Sequence, residues 1–210
     1  MLARAAREHL IGVLEEARAA GSLGPVPVEE HVTHSDAFAE AVGRDFAGRF
    51  LDLGSGGGVP GLVLLMAWAR ASATLVESRG RRCRMLERAV RELGMEARTT
   101  VACGRAEDLA RRPDLRSVHD LVVARGFGSP AMTAECAAGF LRVGGRLVVS
   151  EPPDPDPARW PADGLAELGL GRQERVRQGG RTFVVLRQEE AAGGRWPRRA
   201  GVPSKRPLWR

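Results

Sequence analysis

The densest chemistry in this chain of 210 residues lies in the run Asp52-Leu53-Gly54-Ser55-Gly56-Gly57-Gly58-Val59-Pro60-Gly61. Glycines let a backbone turn sharply and approach a ligand where a Cβ would collide. A helix beginning just after them offers free N–H groups and the positive end of its dipole. Gly56-x-Gly58-x-x-Gly61 matches the dinucleotide fingerprint. An acid, Asp52, stands two positions before the first glycine, and it suits a sulfonium-bearing aminoacyl group better than a pyrophosphate. Glu77 closes the next apolar run, where an acid accepts hydrogen bonds from both hydroxyls of a ribose. Beyond a third run, Gly104-Arg105-Ala106-Glu107-Asp108 is placed to edge an adenine, with Ala106 and Glu107 reading the ring. These groups describe S-adenosylmethionine. Taken singly, Glu77 or Glu107 is equally at home capping a helix.

The elements that must hold these residues follow from periodicity. Leu2, Ala6, Leu10, Val13, Leu14 and Ala17 form one apolar stripe of a helix over 2–19, and a second helix spans about 28–43. Strands are predicted at 49–53, 73–77, 99–102, 120–124 and 146–150, with helices at 60–69, 81–93 and 130–141 between them. Residues 171–178 and 181–187 flank Gly179-Gly180 and form an antiparallel hairpin. The expected architecture is an α/β, Rossmann-like class I fold. It has a seven-stranded, mostly parallel sheet, an antiparallel terminal hairpin and an N-terminal helical extension. The expected divisions are 1–46 for the extension, 47–188 for the methyltransferase domain and 189–210 for a basic tail, which holds too many glycines and prolines for regular structure.

At these residues the chain resembles the small-subunit ribosomal RNA guanine-N7 methyltransferases, also called glucose-inhibited division protein B. The matching pieces are 51–61, Glu77-Ser78-Arg79-Gly80-Arg81-Arg82-Cys83-Arg84-Met85-Leu86, Arg105-Ala106-Glu107-Asp108, Ala124-Arg125 and the tail 195–208. The resemblance implies donor contacts from Gly54, Val59, Ala106, Glu107 and Arg125. They join Asp52, Ser55, Gly56, Gly58 and Glu77 in the expected cofactor set. Arg125, at the carboxyl edge of the fourth strand, is also the expected catalytic residue, orienting donor or target nucleotide; pairing with Asp120 or Glu107 is its structural alternative. Three departures stand out. An Asn-Leu-Thr segment is absent near 21–36, Gly126-Phe127-Gly128 replaces an alanine-containing segment, and Ser150-Glu151-Pro152-Pro153 stands where a Lys-Gly is usual. A carboxylate at 151 is expected to repel RNA phosphate.

Charge bears on the partner. From Arg172 to Arg210 the balance is +8, against −2 for the rest, so the whole excess lies at the end. A basic end on a near-neutral body suits ribosomal RNA or the small subunit. Arg81 and Arg84 on one helix face, with Arg198, Arg199 and Lys205 in the tail, are the expected RNA contacts. The alternatives are an arginine face that is merely solvated and a tail packed back with Trp196 buried. His31 and His34 suit a methylation that needs a base, but isolated near a helix start they read as structural. Guanine N7 has a lone pair and no proton, so it needs none. The three cysteines show no metal or disulfide spacing. No apolar run is long enough to cross a membrane, and the expectation is a reduced, cytoplasmic monomer. A small-molecule O- or N-methyltransferase, a non-catalytic cofactor-binding RNA partner and an NAD-linked oxidoreductase are the competing readings.

Overall fold

A computed structural model describes residues 4–209, with only the backbone of Arg172. Leu2 of the first stripe and Arg210 of the basic end lie outside the described residues. The parallel strands are β1 (Arg49–Leu53), β2 (Ser72–Glu77), β3 (Thr99–Cys103), β4 (His119–Ala124) and β5 (Leu141–Glu151). The hairpin supplies β6 (Leu170–Gln178) and β7 (Arg181–Gln188), with β7 antiparallel to both β5 and β6. The sheet order is β3-β2-β1-β4-β5-β7-β6, and its seven strands, mostly parallel with an antiparallel terminal hairpin, match the expected architecture.

Strand parity sorts the two faces. Phe50, Leu75, Leu121, Val123, Val148 and Phe183 pack under α1 (Arg4–Ala19), α2 (Val28–Val42), α3 (Gly61–Ala67) and α4 (Gly80–Glu92). Leu51, Leu53, Val122, Leu147, Val149 and Val184 pack against α5 (Ala106–Leu109), α6 (Pro130–Phe140) and α7 (Ala162–Ala166). Leu10, Leu14, Val32 and Phe38 of α1 and α2 are fully buried with Phe50 in a single core. Phe38 meets Phe183 edge-on, ring centroids 4.6 Å apart, a contact of about 1 kcal/mol beyond its burial.

The C-terminal segment differs from the irregular tail expected. It forms α8 (Val202–Lys205) and is fastened to the body by arginines that reach carbonyl groups. Arg116 Nη1 donates to Trp196 O at 2.8 Å and its Nη2 to Ala192 O at 2.8 Å, while Arg111 holds Pro197 O. Trp196 is buried, with the guanidinium groups of Arg195 and Arg198 over its ring. The cysteine reading also needs correction. Cys83, in the first turn of α4, and Cys103, at the end of β3, form a disulfide with Cα atoms 5.8 Å apart. The parallel register sets Cys103 beside Glu77, and α4 starts three residues after Glu77 and folds back over the same strand ends. Two cysteines far apart in sequence therefore meet. Among the described residues no helix is long and apolar enough to cross a membrane.

Candidate active site

The carboxyl ends of β1, β2 and β3 open into a cleft of about 300 Å³ lined by Gly54, Glu77, Ser78, Gly104, Ala106 and Glu107, with Arg79, Arg82, Arg105, Phe127 and Met132 among the other walls. A cleft of about 360 Å³ lies between α7 and the start of β6, lined by Leu165, Leu170, Glu189 and their neighbours. That one sits at the amino edge of the sheet, whereas ligands of open α/β sheets bind at the carboxyl edge. The smaller cleft is therefore the candidate.

Glu77 is held rigidly on its floor. Its Oε1 accepts from the N–H groups of Ser78 (2.7 Å) and Arg79 (2.8 Å), and its Oε2 accepts from Gly56 N–H at 3.1 Å. The Ser78 hydroxyl adds a longer bond to Oε1 at 3.4 Å, so the lone pair left over is on Oε2, which among the described residues accepts from Gly56 alone. Gly54 has φ +80°, and a Cβ there would lie 2.7 Å from the Phe127 ring. A side chain at 54 would thus be strained and would displace the aromatic wall. Glu107 is buried, its Oε1 accepting from Arg105 (3.0 Å) and from Gly201 N–H (2.9 Å), while its Oε2 has no partner. These bonds hold its carboxyl below its ordinary pKa, against the opposing effect of burial. Cys103 precedes Gly104, so the disulfide braces the same wall.

Asp52, Ser55, Gly56, Gly58 and Val59 do not line this cleft. Asp52 has the parity of Phe50 and lies under the start of α3, where its Oδ2 accepts from Gly61 N–H at 3.0 Å. Only glycine fits there, because a Cβ at 61 would lie 2.5 Å from that oxygen. Asp52 Oδ1 is buried without a hydrogen-bond partner, and burial raises the carboxyl to about pKa 7. Arg125 projects to the same face. Its Nη2 donates to His31 Nδ1 at 2.7 Å, and its Nη1 is buried without a partner. Neither pairing considered for Arg125 from sequence occurs. Asp120 takes Arg142 and the Arg49 N–H, and Glu107 takes Arg105. An orphaned acceptor and an orphaned donor, Asp52 and Arg125, thus stand at neighbouring strand ends beside the cleft.

Sequence reasoning gave His31 and His34 no specific role at this edge. His34 Nε2 lies 2.8 Å from Ser150 Oγ, and its pKa falls to about 4 through burial and the positive charges of Arg125 and Arg181. The expected repulsion from Glu151 does not arise. Glu151 has the opposite parity, and Arg159 neutralises it through Nε–Oε2 (2.9 Å) and Nη2–Oε1 (3.4 Å).

The cations divide. Arg198 is bound to Glu135, its Nη2 2.6 Å from Oε2 and its Nε 2.9 Å from Oε1, so the structure gives it a structural partner in place of the expected RNA phosphate. Arg81, Arg84, Arg199 and Lys205 are exposed and make no ion pair among the described residues.

A family model described as rRNA small subunit methyltransferase G matches residues 25–151. The ribosomal RNA small subunit methyltransferase G of Symbiobacterium thermophilum is 36% identical over 171 residues, covering 76% of this chain and 70% of that protein. That of Rubrobacter xylanophilus is 35% identical over 172 residues, covering 77% and 66%. The chain belongs to this methyltransferase G family. The fold is shared more widely. An O-methyltransferase from Bacillus cereus in complex with SAH aligns with TM-score 0.60 at 14% identity, over 86% of this chain and 90% of that one. The [4+2]-cyclase SpnF aligns with TM-score 0.62 at 16% identity, over 86% and 93%. In this methyltransferase G chain the matched span runs from the approach to α2 through the end of β5, and it takes in the cleft, Asp52, Arg125, His34 and Ser150.

Proposed function

We propose that this chain is an S-adenosylmethionine-dependent methyltransferase that modifies N7 of a guanine in small-subunit ribosomal RNA. The observation that carries the donor assignment is the orphaned pair, Asp52 Oδ1 and Arg125 Nη1, beside a cleft floored by Glu77. A buried acceptor and a buried donor left unmet are costly, and an aminoacyl zwitterion matches both, its ammonium to Asp52 and its carboxylate to Arg125. Glu77 would take the ribose, and Gly104 to Glu107 the adenine edge. When bound, the donor supplies an electrophilic methyl on a sulfonium.

The protein's own part is to position and to exclude water. Glu77 and Arg125 fix the two ends of the site, and Phe127 packed on Gly54 closes its wall. Guanine N7 attacks without surrendering a proton, so no residue need act as general base; rate comes from orientation and from fixed dipoles. Arg81 and Arg84, outside the rim on α4, and Arg199 and Lys205, on the segment tied to Glu107 through Gly201, supply phosphate contacts that set register without reading sequence. A ribosomal substrate implies the cytoplasm, and the chain is taken to act as a monomer. The test is mass-spectrometric mapping of small-subunit RNA from cells with and without this protein. Loss of one 7-methylguanosine is the expected result, and an unchanged map refutes the substrate.

A further inference from the structure

The helix α2 crosses the carboxyl edge of the sheet with a spacing that matches the strands. His31 meets Arg125 just beyond β4, His34 meets Ser150 in β5, and Ala37 lies against Gly179 at the β6–β7 turn, a Cβ there being 3.3 Å away. Three residues of helix rise about 4.5 Å, and neighbouring strands are about 4.8 Å apart. Each three-residue step therefore advances the helix by one strand. The proposed donor occupies the β3-β2-β1 side, with its aminoacyl end at β1 and β4. The next position along the edge, over β4 and β5, holds His34 and Ser150, both half-buried.

We propose that Ser150 and His34 form the hydrogen-bonding seat of the target base, holding the O6 edge of the purine so that N7 faces the donor. The inference rests on the reading under Proposed function and goes beyond it by assigning the acceptor side. His34 packs against the touching pair Phe38 and Phe183, with ring centroids 5.8 and 5.9 Å away, so its position is fixed. Its imidazole is neutral. With Nε2–H donating to Ser150 Oγ, the Ser150 hydroxyl hydrogen is free to point outward. A guanine presents two adjacent acceptors on that edge, O6 and N7. N7 must stay unprotonated and open to form the new N–CH3 bond as the S–CH3 bond breaks and the positive charge passes to the base. O6 therefore needs the donor, and the Ser150 hydroxyl supplies it without giving up a proton to N7. Burial first, and then the positive charges of Arg125 and Arg181, keep His34 neutral.

The test compares wild type with Ser150→Ala, Ser150→Thr, His34→Ala and His34→Gln. It uses purified undermethylated small subunits, and calorimetric titration of S-adenosylhomocysteine as the donor-side probe. Ser150→Ala removes one hydroxyl and no packing. Its expected effect is about a ten-fold fall in kcat/KM, with by-product affinity unchanged. Ser150→Thr restores most of the loss because it keeps the hydroxyl, and His34→Gln restores part of what His34→Ala removes. Binding of 7-methylguanosine monophosphate, followed by its ring resonances, weakens in Ser150→Ala by a similar factor. Wild-type turnover in Ser150→Ala, or a loss that Ser150→Thr does not repair, overturns the seat. A wild type that binds S-adenosylhomocysteine yet methylates no subunit overturns the ribosomal reading itself, and the seat with it.

Discussion

Replacing Asp52 by Asn should make this protein more stable above neutral pH and a poorer binder of its donor. Asp52 is 1% exposed, with one oxygen on Gly61 N–H and the other unpartnered. Its pKa rises from 3.8 to about 7 because burial disfavours the charged form. The folded state thus holds a proton that the unfolded chain releases at lower pH. Stability linked to this group is full below about 3.8, declines as pH rises, and is lost by about 7. The gap corresponds to roughly 4 kcal/mol at most. Asn keeps an oxygen for Gly61 N–H but adds an amide hydrogen with no acceptor, so a gain of about 2–4 kcal/mol at pH 8 is expected, against near parity at pH 4. Urea unfolding at both pH values reads this directly. The ammonium of the donor is what should stabilise the buried carboxylate, so S-adenosylhomocysteine affinity should fall about ten-fold in the variant at pH 8. A variant less stable than wild type at pH 8, or one with unchanged affinity, refutes the role given to Asp52.

Other expectations follow from the same contacts. Ser at both Cys83 and Cys103 should lower stability by about 3 kcal/mol for a loop of this length, and should loosen S-adenosylhomocysteine binding several-fold because Cys103 adjoins Gly104 of the cleft wall; thiol titration of the unreduced protein should find Cys136 alone. Glu135→Ala strands Arg198 and should cost about 3 kcal/mol, seen as a lower urea midpoint and early tryptic cutting after Arg198 or Arg199; a silent substitution would mean the C-terminal segment is not fastened there. Arg81→Ala with Arg84→Ala should lower the salt slope of RNA binding by about 2 and leave S-adenosylhomocysteine affinity alone; an unchanged slope removes α4 from the RNA path.

What the sequence disclosed and what it hid divide along the range of the interactions. The glycine run, Glu77 and Ala106-Glu107 are local patterns between a strand and a helix, so the alternation of strands and helices and the place of the cleft were readable from spacing. The side of the sheet on which Asp52 lies was readable as well. Phe50 and Asp52 share parity on β1, so Asp52 lies on the same face as Phe50, under the start of α3. The same parity sends Arg125 and Ser150 to the α2 face and Glu151 away from it. The substitution at 151 therefore does not bring a carboxylate to face RNA. By contrast, α5, α7 and α8 span only four or five residues, too few to show a helical period. The Arg198–Glu135 and Gly201–Glu107 contacts join residues 63 and 94 apart, and a basic segment leaves no local sign of where its partners lie. Its charge count suggested an RNA-binding tail. The hydrogen bonds show Arg198 held by Glu135, and the backbone N–H of Gly201 tying the segment to Glu107 in the cleft wall, so cutting it away should damage the cleft as well as any RNA grip. Composition measures how much charge a segment carries, and only the fold decides how much of it remains for a partner.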